Sequence, residues 1–174
     1  MCIRDSWEAI ASSYEQLHQW MPWAQIPPTE ESVLAFLEPA VEQFGGDASS
    51  DYAITLPTTG RYVGGCGLIP RIGPGATEIG YWVDVRFGGR GIATEAAGLL
   101  TAAGLDLDGV DRVEIHCDPA NTRSAAIPRR LGYRLDRIES DEIVTPGETG
   151  RSMIWVTPAP WSPPEMEPGV QQVR

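Results

Sequence analysis

At 174 residues the chain has room for one domain, and its 42% hydrophobic content is enough for a buried core. The net charge of −11 sets its surface against nucleic acid, whose phosphates it would repel, and suits a cationic partner. Cys2, Cys66 and Cys117 are too few and scattered for a disulfide framework, two histidines argue against a zinc site, and there is neither an apolar run of ~18 residues nor a signal-peptide core, so a cytoplasmic protein without metal or membrane partner is expected.

Met1 to Ser6 carry no strand pattern. Helical spacing begins at about Trp7 and continues through Ile10, Ala11, Tyr14 and Leu17. Trp20-Met21-Pro22-Trp23-Ala24 follows, a loop whose two tryptophans can staple it onto the core. After Pro27-Pro28, Thr29 opens a second helix with Glu30 and Glu31 in its first turn. Val33, Leu34, Leu37, Val41 and Phe44 supply its buried stripe, and Pro39 kinks or shortens it. Gly45 to Ser50 is a loop. Tyr52–Leu56 and Tyr62–Ile69 form a hairpin about Pro57-Thr58-Thr59-Gly60, and the turn Arg71–Gly75 leads to a strand over Thr77–Val85.

From Ile92 the apolar residues switch to helical spacing, through Ala96, Leu99, Leu100 and Ala103. The strand Arg112–Cys117 then closes a right-handed crossover and should lie parallel to 77–85. Ser124–Leu131 reads as a short helix. Arg134–Val144 and Ser152–Thr157 read as a closing hairpin around Pro146 to Gly150. From Pro158 onward the chain is proline-rich without periodicity, a disordered tail, so residues 1–157 form the domain.

Between strand and helix stands Arg86-Phe87-Gly88-Gly89-Arg90-Gly91. A glycine-rich turn feeding a helix N-terminus aims several backbone N–H groups one way, and with the helix dipole they favour a phosphate or pyrophosphate. Arg90 adds a full positive charge. The same glycines also serve a plain turn that needs φ > 0. No Lys-Ser/Thr follows the glycines, and the dinucleotide spacing would need glycine where Thr94 stands, so neither of those two phosphate loops fits.

The spacing that fits is Arg86-x-x-Gly89-x-Gly91 followed by Ala93, which resembles the acetyl-CoA loop of the GNAT superfamily of N-acetyltransferases. Glu78-Ile79-Gly80-Tyr81-Trp82-Val83 and Gly91-Ile92-Ala93-Thr94-Glu95-Ala96 are similar to the branch that contains the ribosomal-protein N-terminal acetyltransferases. Asp118-Pro119-Ala120-Asn121-Thr122-Arg123-Ser124 and Leu131-Gly132-Tyr133 supply a second motif in the right order. The resemblance spans roughly residues 14 to 157.

It implies an α/β domain whose twisted, mostly antiparallel sheet is flanked by helices, with the strands 77–85 and 112–117 splayed to hold acetyl-CoA. Related enzymes begin with an edge strand. Its absence here suggests an N-terminal truncation that leaves the next edge unpaired. Pantetheine would pair with backbone groups near Val83 and Val85, and the pyrophosphate would lie on the amides of Arg90 to Thr94, Gly91, Ile92 and Ala93 among them. Arg86 and Gly89 complete the loop motif.

Much of the superfamily protonates the departing thiolate with a tyrosine four residues before the helix-ending glycine, where this chain has Pro128. The ribosomal-protein branch places a serine at Ser124, the first candidate to hydrogen-bond the coenzyme sulfur. Its plain alternative is a first-turn helix serine. Asn121 caps the helix or contacts the pantetheine amide. Tyr133 is a second donor candidate, or a core residue. Glu78 is a candidate base for the amine, or an exposed strand end. Trp20 and Trp23 would border the acceptor if the first two helices wall the cleft.

The resulting expectation is acetyl transfer from acetyl-CoA to a primary amine, a protein N-terminus or a small molecule, by direct attack in a ternary complex, by a monomer or homodimer. The rivals are a coenzyme-binding module without turnover, which Pro128 favours, and a scaffolding protein in which the glycine turn is structural.

Overall fold

In the computed structural model, residues 3–35 and 50–164 are described. Helix α1 spans Ile3–His18, a short 3-10 turn spans Pro22–Ala24, and α2 is described over 30–35. The strands are β1 (Ser50–Thr55), β2 (Tyr62–Ile69), β3 (Gly75–Val83), β4 (Val110–Cys117), β5 (Arg134–Ser140) and β6 (Arg151–Val156). Helices α3 (Ile92–Leu105) and α4 (Thr122–Arg130) lie to either side of β4 in the chain. The six strands form one sheet in the order β1-β2-β3-β4-β6-β5, antiparallel except for β3 beside β4. No helix among the described residues is long and apolar enough to cross a membrane.

Alternation along the strands sorts the two faces of the sheet. Ile79 on β3, Val113 and Ile115 on β4, and Met153 and Trp155 on β6 face α3 and α4 and pack with Leu100, Leu131 and Tyr133. Burying each such side chain contributes about 1.5–3 kcal/mol. α3 lies close because Gly104 has no side chain; a Cβ there would sit 3.0 Å from Val113 Cγ2. On α3 the buried positions are Ile92, Thr94, Ala96, Ala97, Leu100, Thr101 and Gly104, whereas Leu99 is exposed, so the stripe is turned from the one its leucines suggest. On the other face α1 inserts Ala9, Ile10 and Leu17.

β3 and β4 pair only as far as Glu78 opposite Glu114. Beyond that, β3 stays with β2 up to Val83 opposite Gly64, and β4 stays with β6 up to Cys117 opposite Met153. The two parallel strands therefore splay into a wedge, as the resemblance implies.

Several boundaries differ from expectation. α1 begins at Ile3, and its buried side includes Ser6 and Ser13, which a search for apolar residues passes over. β3 ends at Val83 because the Asp84 carboxylate accepts the Arg86 N–H and caps a 3-10 turn over Val85–Phe87. Thr29 does cap the second helix, its Oγ1 accepting from Ser32 N at 3.0 Å. Leu37, Pro39, Val41, Phe44 and the loop from Gly45 lie outside the described residues. The start of the proline-rich tail is anchored, since Trp161 Nε1 donates to the Leu131 carbonyl at 2.9 Å.

Candidate active site

The wedge opens into two cavities of about 1120 and 1100 Å3. Both are bordered by Trp20, Met21, Tyr81, Trp82, Asn121 and Ser124, so the two meet at the splay. Their charges are opposite. The second cavity runs along Val83, the glycine turn and the start of α4; its lining includes Arg90, Arg123 and Arg130 and no carboxylate. The first is lined by seven carboxylate side chains, among them Asp51, Glu78 and Glu142, against Arg71 and Arg151. In a chain of net charge −11, a cavity whose charged lining among the described residues is arginine alone is a specific feature.

The glycine turn is held from below. Asp84 is fully buried and accepts from Arg86 N at 2.9 Å and from Ser12 Oγ at 3.2 Å. Arg86 turns its guanidinium back onto the same carboxylate, with Nη2 to Oδ2 at 2.6 Å. Burial works to raise the Asp84 pKa, but the Arg86 bonds outweigh it and hold the carboxyl below its ordinary value. Arg86 thus braces the turn and does not border the second cavity. Val85 is used in the same way: its N–H donates to Ser13 Oγ at 3.0 Å and its carbonyl accepts from Gly88 N. Its backbone is committed, which removes the pairing expected of it.

Asp84 N–H bonds toward β2 through the Val63 carbonyl, so strand alternation aims the Val83 N–H into the wedge. Gly89 and Gly91 have φ of +74° and +82°, the left-handed region, and Gly91 is the N-cap of α3. The first α3 carbonyl–amide bond runs from Glu95 N to Gly91 O, so the N–H groups of Ile92, Ala93 and Thr94 have no acceptor within the helix.

Across the wedge, Asn121 caps α4 by accepting from Ser124 N at 3.1 Å. Proline at 128 lacks the N–H that would bond to Ser124 O four residues back. Tyr81 takes that carbonyl, its hydroxyl donating at 3.3 Å while lying 3.1 Å from Ser124 Oγ. Burial, opposed by the Ser124 bond, pushes the Tyr81 pKa up. The tyrosine missing from α4 is thus matched by one reaching in from β3. Sequence reading passed over Tyr81 because its partner arises only from the proline's effect on the helix.

Tyr133 is in the core at 5% exposure, with its hydroxyl 2.8 Å from Thr101 Oγ1. It borders neither cavity. Tyr133→Phe is expected to cost about 1 kcal/mol of stability, the net worth of one such bond, in a thermal or denaturant melt. Turnover should change by less than about twofold, because Thr101 still bonds to the Ala97 carbonyl.

Glu78 borders the first cavity but is buried at 4% exposure and clamped by Arg71, with Nε to Oε2 and Nη2 to Oε1 both 2.7 Å. Beside it stands His116, which sequence reading missed; its Nε2 lies 2.7 Å from Glu114 Oε2. The signal was present, since Glu114 and His116 alternate with Val113, Ile115 and Cys117 and so share the opposite face. Burial works to raise the Glu114 pKa, yet His116 and Arg112 hold it below the ordinary glutamate value.

Cys66 and Cys117 are pushed up to about 11 by burial, so both thiols stay neutral at pH 7. Trp23, 43% exposed, lies 6.0 Å from Trp82, which meets Tyr62 edge-on at 5.9 Å. These three rings wall the acidic cavity, so Trp23 borders it as well as closing its own loop.

Residues 3–134 match a family described as acetyltransferase (GNAT) domain. YdaF of Bacillus subtilis (strain 168), named as a candidate ribosomal N-acetyltransferase, is 30% identical over 133 residues, covering 72% of this chain and 69% of that protein. Among solved structures, the microcin self-immunity acetyltransferase MccE, in complex with acetyl-CoA and AMP, superposes with a TM-score of 0.79 at 20% identity, over 89% of this chain and 86% of that one. An acetyltransferase from Salmonella typhimurium that modifies the N-terminal serine of a ribosomal protein superposes at 0.73 and 18% identity, over 88% and 87%.

Proposed function

This chain belongs to the GNAT acetyltransferase family, and from that we infer that it carries acetyl from acetyl-CoA to a primary amine by direct attack in a ternary complex. The observation that supports the reading best is the opposite charge of two cavities that meet at one point. Coenzyme A brings phosphates, and the arginine-edged cavity suits them; an ammonium ion suits the acidic one.

In this reading the pyrophosphate rests on the amides of Arg90 to Thr94, with Arg123 and Arg130 alongside. Pantetheine runs along β3 past the Val83 N–H, and the thioester reaches the junction beside Tyr81, Asn121 and Ser124. The amine enters past Trp20 and Trp23. It attacks the thioester carbon directly, because thiols held neutral, as Cys66 and Cys117 are, make poor nucleophiles for an acyl-enzyme. Ser124, relayed to Tyr81, hydrogen-bonds the departing sulfur. The relatives named for ribosomal proteins make a protein N-terminus the first acceptor to test, and small-molecule amines the second.

The test is thiol release from acetyl-CoA against a panel of N-terminal peptides and small amines, with calorimetry of coenzyme A beside it. Release that depends on an amine is the expected result. Coenzyme binding without release from any amine would leave a binding module, the reading that Pro128 favours. Absence of coenzyme binding would leave the glycine turn structural.

A further inference from the structure

We propose that His116 is the general base of the amine, positioned by Glu114; this role rests on the acetyl-transfer reading above. Glu78 and Glu114 are register partners, the last pair before β3 and β4 part. They stand on one face of the sheet at 4% and 3% exposure. Two neighbouring buried carboxylates need cations or donors around them. Arg71 occupies both oxygens of Glu78, and Arg112 Nε takes Glu114 Oε1 at 2.7 Å. Glu114 Oε2 is left for His116.

His116 is the next residue on that face, one step past the parting of the strands, and it borders the acidic cavity. A carboxylate only accepts, so Nε2 of the neutral ring carries the proton and donates to Glu114. The lone pair is then on Nδ1, 3.7 Å from Glu78 Oε2. A proton taken there makes an imidazolium between two carboxylates. Among the described residues, the charged groups that face the ring include Glu78 and Glu114 directly, Arg71 and Arg112 through those carboxylates, and Arg137 from β5, which shares a cross-strand row with Ile154 and His116.

The two carboxylates nearest the parting of the strands are already engaged. Glu78 is clamped, and Asp118 accepts from Thr149 N at 2.6 Å and Ala120 N at 2.7 Å. Histidine is also the side chain whose ordinary pKa, about 6.5, matches work near neutrality.

The reaction balances as follows. An acceptor ammonium gives one proton to His116 Nδ1, and its freed nitrogen pair forms the C–N bond. The C–S bond breaks, and its electron pair leaves on sulfur. The remaining surplus proton passes from nitrogen to the thiolate, so amide and free thiol form, and His116 returns its proton to water. The need for a base depends on the acceptor. An alkylamine of pKa about 10.4 is neutral roughly once in 2,500 molecules at pH 7, an α-amine of pKa about 7.8 roughly once in seven.

The experiment compares wild type with His116→Gln in the full chain, following kcat/KM against pH with an alkylamine and with an aromatic amine already neutral at pH 7. The variant is expected to lose about 100-fold or more with the alkylamine and under about tenfold with the aromatic amine. With the alkylamine, the acid limb of the wild-type profile should give way in the variant to a rise that follows the deprotonation of the amine itself, toward pH about 10.4. Coenzyme affinity by calorimetry should hold, because His116 does not border that cavity.

Imidazole 15N spectra give a readout without turnover. The signal lost in His116→Gln should report the Nε2-protonated form in wild type and a tautomer mixture in Glu114→Gln. An unchanged rate and pH limb in folded His116→Gln, or an Nδ1-protonated ring in wild type, overturns the assignment. Wild type that binds coenzyme A but releases no thiol with any amine overturns the transfer reading itself, and this role with it.

Discussion

Gly91→Val is expected to weaken coenzyme A binding by well over tenfold, measured by calorimetry on folded protein. Gly91 has φ +82° and caps α3. An L-residue in the left-handed region costs about 1–2 kcal/mol, and a β-branched one more. Tenfold in affinity is 1.4 kcal/mol, so relaxing the turn to relieve this strain is enough to misplace the amides of Arg90 to Thr94. Gly89→Val tests the same point more cleanly. A Cβ at Gly89 meets nothing within 4 Å, so its cost comes from φ +74° alone. Asparagine tolerates this conformation, and Gly91→Asn should keep most of the affinity. Unchanged binding in both valine variants would reduce the loop to a chain reversal.

Ser124→Ala should lower kcat by 10- to 100-fold, about 1.4–2.7 kcal/mol of barrier, and leave acetyl-CoA affinity nearly intact. A thiol like that of cysteine has a pKa near 8.5, so its thiolate leaves without full protonation and one hydrogen bond suffices. A bond made mainly in the transition state appears in kcat. Tyr81→Phe should show a smaller loss of the same kind, because the Tyr81 hydroxyl lies 3.1 Å from Ser124 Oγ. Should Ser124→Ala be silent and Tyr133→Phe severe, the assignment is reversed. If Ser124→Ala and Tyr81→Phe are both silent, water serves the sulfur.

Much of the fold could be read because periodicity and punctuation agreed. The alternation of β2 and β3, the glycines at 89 and 91 and the helical spacing from Ile92 each named one element. The wedge came from the family resemblance, since splaying depends on where pairing stops, and pairing leaves no mark in composition. What escaped is instructive by residue. Ser6 and Ser13 hid the buried side of α1, because small polar residues can be fully packed when a backbone N–H, here that of Val85, needs an acceptor. The motif places Arg86 in the phosphate loop, yet that position says nothing of Asp84 two residues earlier, which holds its guanidinium. The pairing of His116 with Glu114 is legible in the alternation of β4, but Glu78 reaches the ring from β3, and no window along β4 contains it.

The division of charge between the two cavities also bears on how the cycle would end. An ammonium drawn to seven carboxylates brings the attraction with it. Acetylation turns that cation into a neutral amide, so the product no longer has the interaction that seated it. In the acetyl-transfer reading the free coenzyme, by contrast, would keep its phosphates beside Arg90, Arg123 and Arg130, which line the second cavity. The acetylated acceptor would then depart first and the coenzyme last, with the chemistry itself acting as the release signal and no moving lid required.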